Sequence, residues 1–153
     1  MTIILLFILT LILAKVIWVI YETSLSGSLV KEQTEIVRRA NYLISKVATS
    51  PKQLMDAMPR QIPSQFRGEW AIYSCSMTCK ALANIAALYP QTNYKEQTSK
   101  IINIAMANEI RGYDAERWDE DPFIGLDGNV SHLSYYSHLA WMIGEYKLVY
   151  NDH

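Results

Sequence analysis

Gly68-Glu69-Trp70-Ala71-Ile72-Tyr73-Ser74-Cys75-Ser76-Met77-Thr78-Cys79-Lys80-Ala81-Leu82-Ala83-Asn84-Ile85-Ala86-Ala87-Leu88-Tyr89-Pro90 sets Trp70, Tyr73, Met77, Ala81, Leu82, Ile85 and Leu88 three and four residues apart. That spacing is the repeat of one helix face, not the alternation of a strand. Pro90 ends the run, because proline lacks an N–H and pushes the residue before it toward extended backbone. So long a run with so few charges predicts a largely buried helix in an all-α protein.

Working outward, Asn93 with Glu96 has the spacing of a capping box, and Ile101, Ile104, Ala105 and Ile110 continue at helical spacing to Gly112 as C-cap. Two helices joined by so few residues predict an antiparallel hairpin. Upstream, Val30, Ile36, Val37, Ala40, Leu43, Ile44 and Val47 alternate with Lys, Arg and Glu, an amphipathic helix over about 29–48. Ser50-Pro51-Lys52-Gln53 then offers an N-cap, a proline at the first helical position and a glutamine at the third, opening a short helix that Pro59 ends. Downstream, Ser131 to about Val149 is apolar and aromatic nearly all round, and such a helix calls for partners on several sides.

Ile3 to Tyr21 holds only Thr10 and Lys15 among its non-apolar positions. Each Leu, Ile, Val or Phe favours bilayer insertion by roughly 0.3–0.6 kcal/mol, against about 2.5–3.5 kcal/mol for Lys15. The reading is a single-pass N-terminal transmembrane helix over 1–22, a connecting helix over 23–50 and a helical-hairpin domain over 51–153. A signal peptide cleaved at Ser24-Leu25-Ser26 is the alternative. Counting only Lys31, Arg38 and Arg39 places the domain on the cytoplasmic side.

A net charge of −1 over 153 residues leaves no basic face for a phosphate backbone, so no nucleic-acid partner is expected. Cys75 and Cys79, four apart on one helix face, read as small apolar core residues, the alternative being a half-site for a metal or a reactive thiol. His132 and His138 lie about 120° apart round a helix, too far to share one ion unaided, so neither metal nor cofactor is expected.

The segment 112–129 reads as a loop, carrying Asp114, Glu116, Asp119, Glu120, Asp121 and Asp127 ahead of the last helix. Clustered carboxylates raise one another's pKa, so Asp119, Glu120 and Asp121 are candidates for a protonated general acid beside an ionised partner. His132, at a helix N-terminus, is the candidate neutral imidazole. The competing reading is a solvated loop that caps the helix and pairs with Arg111 or Arg117. Trp70, Tyr73, Trp118, Tyr135, Tyr136 and Trp141 are candidates to line an apolar cavity, with His138 beside them; the alternative for each is a place in the core. Asn129-Val130-Ser131 matches a glycosylation sequon.

Gly68-Glu69-Trp70, Leu88-Tyr89-Pro90, Trp118-Asp119-Glu120-Asp121-Pro122 and Ser131-His132-Leu133-Ser134-Tyr135-Tyr136-Ser137-His138-Leu139 occur in an order that resembles the N-terminal part of α/α-toroid proteins, in particular the linalool dehydratase/isomerase group. The resemblance covers roughly 53–150. It implies a ring of helix hairpins with its site where loops and inner-helix ends converge, and a domain outside the cytoplasm. Its relatives would act on terpenoid or carbohydrate substrates as lyases or isomerases, by acid/base chemistry at Asp119, Glu120, Asp121 and His132. Trp70, Tyr73, Trp118, Tyr136 and His138 would bind the substrate. The chain supplies two or three hairpins of such a ring, so an incomplete site is expected, with a homo-oligomer or a further helical partner to complete it. The rival reading is a small anchored helical protein that binds a partner through its last helix and performs no chemistry.

Overall fold

The computed structural model describes residues 2–25, 29–127 and 130–150, with side chains for 6–21, 32–124 and 130–150. The cleavage site at Ser24-Leu25-Ser26, the Lys31 and Asp127 side chains and the sequon asparagine Asn129 lie outside the described side chains. Among the described residues the chain is helical without strands. Its helices are α1 (Thr2–Leu25), α2 (Leu29–Val47), α3 (Pro51–Ala57), α4 (Ser64–Leu88), α5 (Lys95–Met106), α6 (Asn108–Trp118) and α7 (Leu133–Tyr150), with a 3₁₀ turn at Pro122–Asp127. Two units divide it, Met1–Arg38 and Arg39–His153, the boundary falling inside α2.

In the first unit, α1 exposes apolar side chains along its described length, Phe7, Ile17 and Trp18 among them. The Thr10 hydroxyl donates to the Leu6 carbonyl at 2.8 Å. Among the described residues no helix is long and apolar enough to cross a membrane. Lys15 sits among the described apolar side chains of α1 and opposes insertion by about 2.5–3.5 kcal/mol. The single-pass anchor and membrane location expected from the sequence are corrected accordingly.

The second unit is organised on α4, whose Ala71, Ile72, Cys75, Cys79 and Leu82 are buried. Ser50 accepts from the Gln53 N–H at 3.3 Å and opens α3 as its sequence requires. Asn93 departs from the expected capping box: its Oδ1 accepts from Lys95 N–H at 3.0 Å, a turn ahead of α5, and Tyr94 takes the N-cap position.

The main departure follows Met106. The expected single helix ending at Gly112 breaks at Ala107, where the backbone is extended, and restarts as α6, which passes through Gly112 to Trp118. Ile110, Tyr113 and Asp114 form its buried stripe. The loop therefore begins at Asp119, and Asp114 belongs to the core. Gly68 lets α4 and α6 meet, because a Cβ there would overlap the Tyr113 side chain from Cβ to Cδ1.

Cross-links give the helix directions. Ser64 meets Glu116 and Gly68 meets Tyr113, so α6 runs antiparallel to α4. Ser76 meets His138 and Lys80 meets Glu145, so α7 runs parallel to α4. Tyr135 bonds the Ala105 carbonyl at 3.2 Å and Tyr146 lies by Lys95, so α5 runs against α7. The result is a pair of parallel helices, α4 and α7, with α5 and α6 returning in the opposite sense. Tyr135 and Met142 seat α7 in the core, while Trp141 and Leu148 remain exposed.

Candidate functional site

Two histidines at the start of α7 meet different surroundings. His132 precedes the helix and its carbonyl accepts the Tyr136 N–H at 2.9 Å, so it stands at the N-cap. Its Nδ1 is hydrogen-bonded to Asp114 Oδ2, and both side chains are only 1 % exposed. Nε2 on the far side of the ring lies 3.3 Å from Glu120 Oε1. Both ring nitrogens thus face carboxylates. A neutral imidazole has one donor and one acceptor, so a proton on each line requires either an imidazolium or a protonated carboxyl. The two carboxylates sit across the ring from each other, and His132 is left without a free nitrogen.

The other acidic candidates go elsewhere. Asp121 accepts from Arg111 Nε at 3.0 Å and Nη2 at 2.9 Å, and from the Phe123 N–H at 2.9 Å. These bonds, the Arg111 guanidinium foremost, hold its carboxyl below the usual range. The expectation that clustering raises it is corrected for Asp121, because the nearest charge is a cation. Asp119 closes α6 in the left-handed region at φ 54° and is exposed. Structure therefore brings Glu120 and His132 together and sends Asp119 and Asp121 to cap and ion-pair positions. Asp114, the third member of the buried group, was hidden by reading 112–129 as a loop; the Ile110, Tyr113, Asp114 spacing was the signal for it.

His138, on the face of α7 toward α4, is half-buried. Its Nδ1 lies 2.9 Å from Ser76 Oγ, and its ring meets Tyr73 edge-on at 5.8 Å. Burial lowers its pKa below 6.5, favouring neutral imidazole. Around it opens a groove of about 440 Å³ lined by Glu69, Trp70, Ile72, Tyr73, Ser134 and His138. Trp70 and Tyr73 are 59 % and 50 % exposed, so their faces are available to a ligand. Glu69 is held by Arg117 at 2.8 Å.

Near Ser134 and Glu69, the Tyr113 hydroxyl is buried without a hydrogen bond of normal geometry. Burial pushes its phenol up to about 12, against a smaller pull from Ser134. Of the expected substrate residues, Trp70, Tyr73 and His138 share this groove. Trp118 lies under Arg117, 5.4 Å from the guanidinium, and Tyr136 reaches the Pro122 carbonyl and packs against His132. Ser76, Ser134 and Glu69 enter the site without having been singled out. Cys75 and Cys79 are buried free thiols, and burial pushes the Cys79 thiol up to about 12.

Comparison with known proteins supplies no relative: no family model, no curated protein and no solved structure matches this chain.

Proposed function

We propose that the groove between α4 and α7 is a small-molecule site of an α/α-toroid-type domain, taking a carbohydrate or terpenoid ligand by acid/base chemistry. Flat aromatic walls suit both ligand classes, whose ring faces are apolar and whose edges carry hydroxyls. The carrying observation is that Trp70 and Tyr73 flank an imidazole with one nitrogen anchored on Ser76 and the other unpartnered among the described residues. His138 is the proton acceptor in this reading. The Asp114, His132 and Glu120 group ties α6 and the following loop to the start of α7, fixing where Ser134 and His138 stand. Parallel α4 and α7 with returning α5 and α6 support a hairpin array.

Saturation-transfer NMR of the full chain against methyl glycosides and monocyclic terpenoid alcohols tests this. Binding that falls at least tenfold in Trp70→Ala and in His138→Ala, and is unchanged in Asp119→Ala, is the expected result. No saturation transfer from any of these compounds would sink it. A second reading, partner docking without chemistry, draws on the exposed stripe Phe66, Trp70, Tyr73 and Met77 of α4 with Trp141 of α7. It predicts a solution mass that rises with concentration and reverts in Met77→Glu, outside the groove.

A further inference from the structure

Ser76 stands at two hydrogen-bond distances and has one hydrogen. Its Oγ is 3.0 Å from the Tyr73 carbonyl and 2.9 Å from His138 Nδ1. A carbonyl oxygen only accepts, so the Tyr73 line carries a hydrogen only if Ser76 supplies it. With that hydrogen spent, the imidazole line carries one only if Nδ1 is protonated and donates to Oγ. The reverse assignment, Oγ–H to Nδ1, leaves two oxygen lone-pair sets facing each other at 3.0 Å with no proton between them, inside a residue that is 1 % exposed. The Tyr73 carbonyl keeps its helical N–H bond within α4 either way, so what disfavours the reverse assignment is the repulsion of those lone pairs where water does not relieve it.

We infer that Ser76 is a positioning residue that holds His138 in its Nδ1–H form, leaving Nε2 as the hydrogen-bond acceptor of the groove. The orienting partner on one ring nitrogen decides what the other can do. Resting on the groove being a ligand site, this assignment narrows the ligand class: the part that meets His138 is an O–H or N–H donor, and an acceptor such as a carbonyl or carboxylate oxygen is disfavoured there. The neighbouring groups fit. Glu69, though paired with Arg117 through Oε1, adds a carboxylate acceptor to the rim beside His138. A ligand hydroxyl meets the requirement for a donor at His138, which makes an alcohol the simplest occupant.

Side-chain ¹H–¹⁵N correlation spectra of the full chain at pH 8 read the tautomer directly, with His132→Gln and His138→Gln spectra assigning the signals. His138 is expected to show a protonated Nδ1 and a bare Nε2. Ser76→Ala is expected to shift it toward Nε2–H, the form that free neutral histidine side chains favour in water, and Ser76→Thr to keep the Nδ1–H form. A wild-type His138 already protonated at Nε2, or a Ser76→Ala spectrum identical to wild type, overturns the assignment. If Ser76→Ala loses its helical circular dichroism, the wild-type and Ser76→Thr spectra decide alone. None of these readouts needs a ligand, so a groove that binds nothing would defeat the functional reading and leave the tautomer standing.

Discussion

His132 and His138 lie six residues apart at the start of one helix, yet one is sealed and the other is open. His132 has a carboxylate on each ring nitrogen and is 1 % exposed. His138 has a serine on one nitrogen and a groove beside it. The difference comes from the partner helix. α6 presents Asp114, an ionisable group that cannot stay buried unless it is paired. α4 presents Ser76, a neutral group that needs only a hydrogen bond. A histidine between buried carboxylates is committed to holding structure, whereas one oriented by a hydroxyl keeps a nitrogen for other work.

The largest expected effect comes from breaking the sealed side. Asp114→Ala removes one carboxylate and strands His132 beside Glu120 in the interior. Loss of one partner from a buried ion pair costs up to roughly 3–5 kcal/mol, and the contact that Glu120 keeps with Nε2 puts the loss at the lower end. Urea unfolding should show that loss, against about 1 kcal/mol for Ser76→Ala, which removes neutral hydrogen bonds only. Equal losses in the two variants would erase the distinction between the sites.

Next in size is the seat of α6. Gly68→Ala puts a methyl group into the Tyr113 side chain, one residue from Asp114. Overpacking of this kind costs about 1–3 kcal/mol. Its sharper readout is placement: if α6 is pushed away, His132 loses Asp114 and its ring resonances move, while those of His138, held by α4, stay. Movement of both would mean that the two sites share one support.

How far the sequence told these sites apart depends on which signal was used. The helical repeat from Trp70 to Leu88 located α4, and Ser50-Pro51 located the start of α3, because both are local. Gly112 misled. Its lack of a side chain suits a C-cap, but at this position nothing lies within 4 Å of where a Cβ would stand, and α6 runs through it. Tertiary packing of Ile110 and Tyr113 outweighed the weak helix propensity of one glycine. The acidic loop showed its charges but not their partners. Arg111 takes Asp121 from ten residues away, and Asp114 finds His132 from eighteen. The first depends on how the chain turns back after α6 and the second on His132 being brought to α6 ahead of α7, which no local spacing encodes. Trp70, Tyr73 and His138 could be nominated for a shared cavity by type; Ser76 could not, since a serine in mid-helix says nothing until the helix facing it is known.

The smallest effect bears on the open histidine. Burial lowers the His138 pKa from 6.5, so the unfolded chain takes up a proton at a pH where the folded chain still resists it. Wherever the unfolded state binds more protons, stability rises with pH. Stability should therefore fall as acid is added below about pH 6.5, down to the folded-state value. Asp121 acts in the same direction in a separate window: its carboxyl is depressed from 3.8, so its contribution is present above that value and is lost only as pH drops through the folded one. His138→Gln keeps a polar side chain and removes the first window alone. The wild-type and variant unfolding curves, measured from pH 7.5 to 5.0, are expected to converge in slope above pH 7 and to separate below it, the variant being the flatter. His132 is present in both proteins, so it cancels from the difference. Parallel curves over the whole range would mean that water reaches both faces of the His138 ring, and the contrast with His132 would then lie in exposure alone.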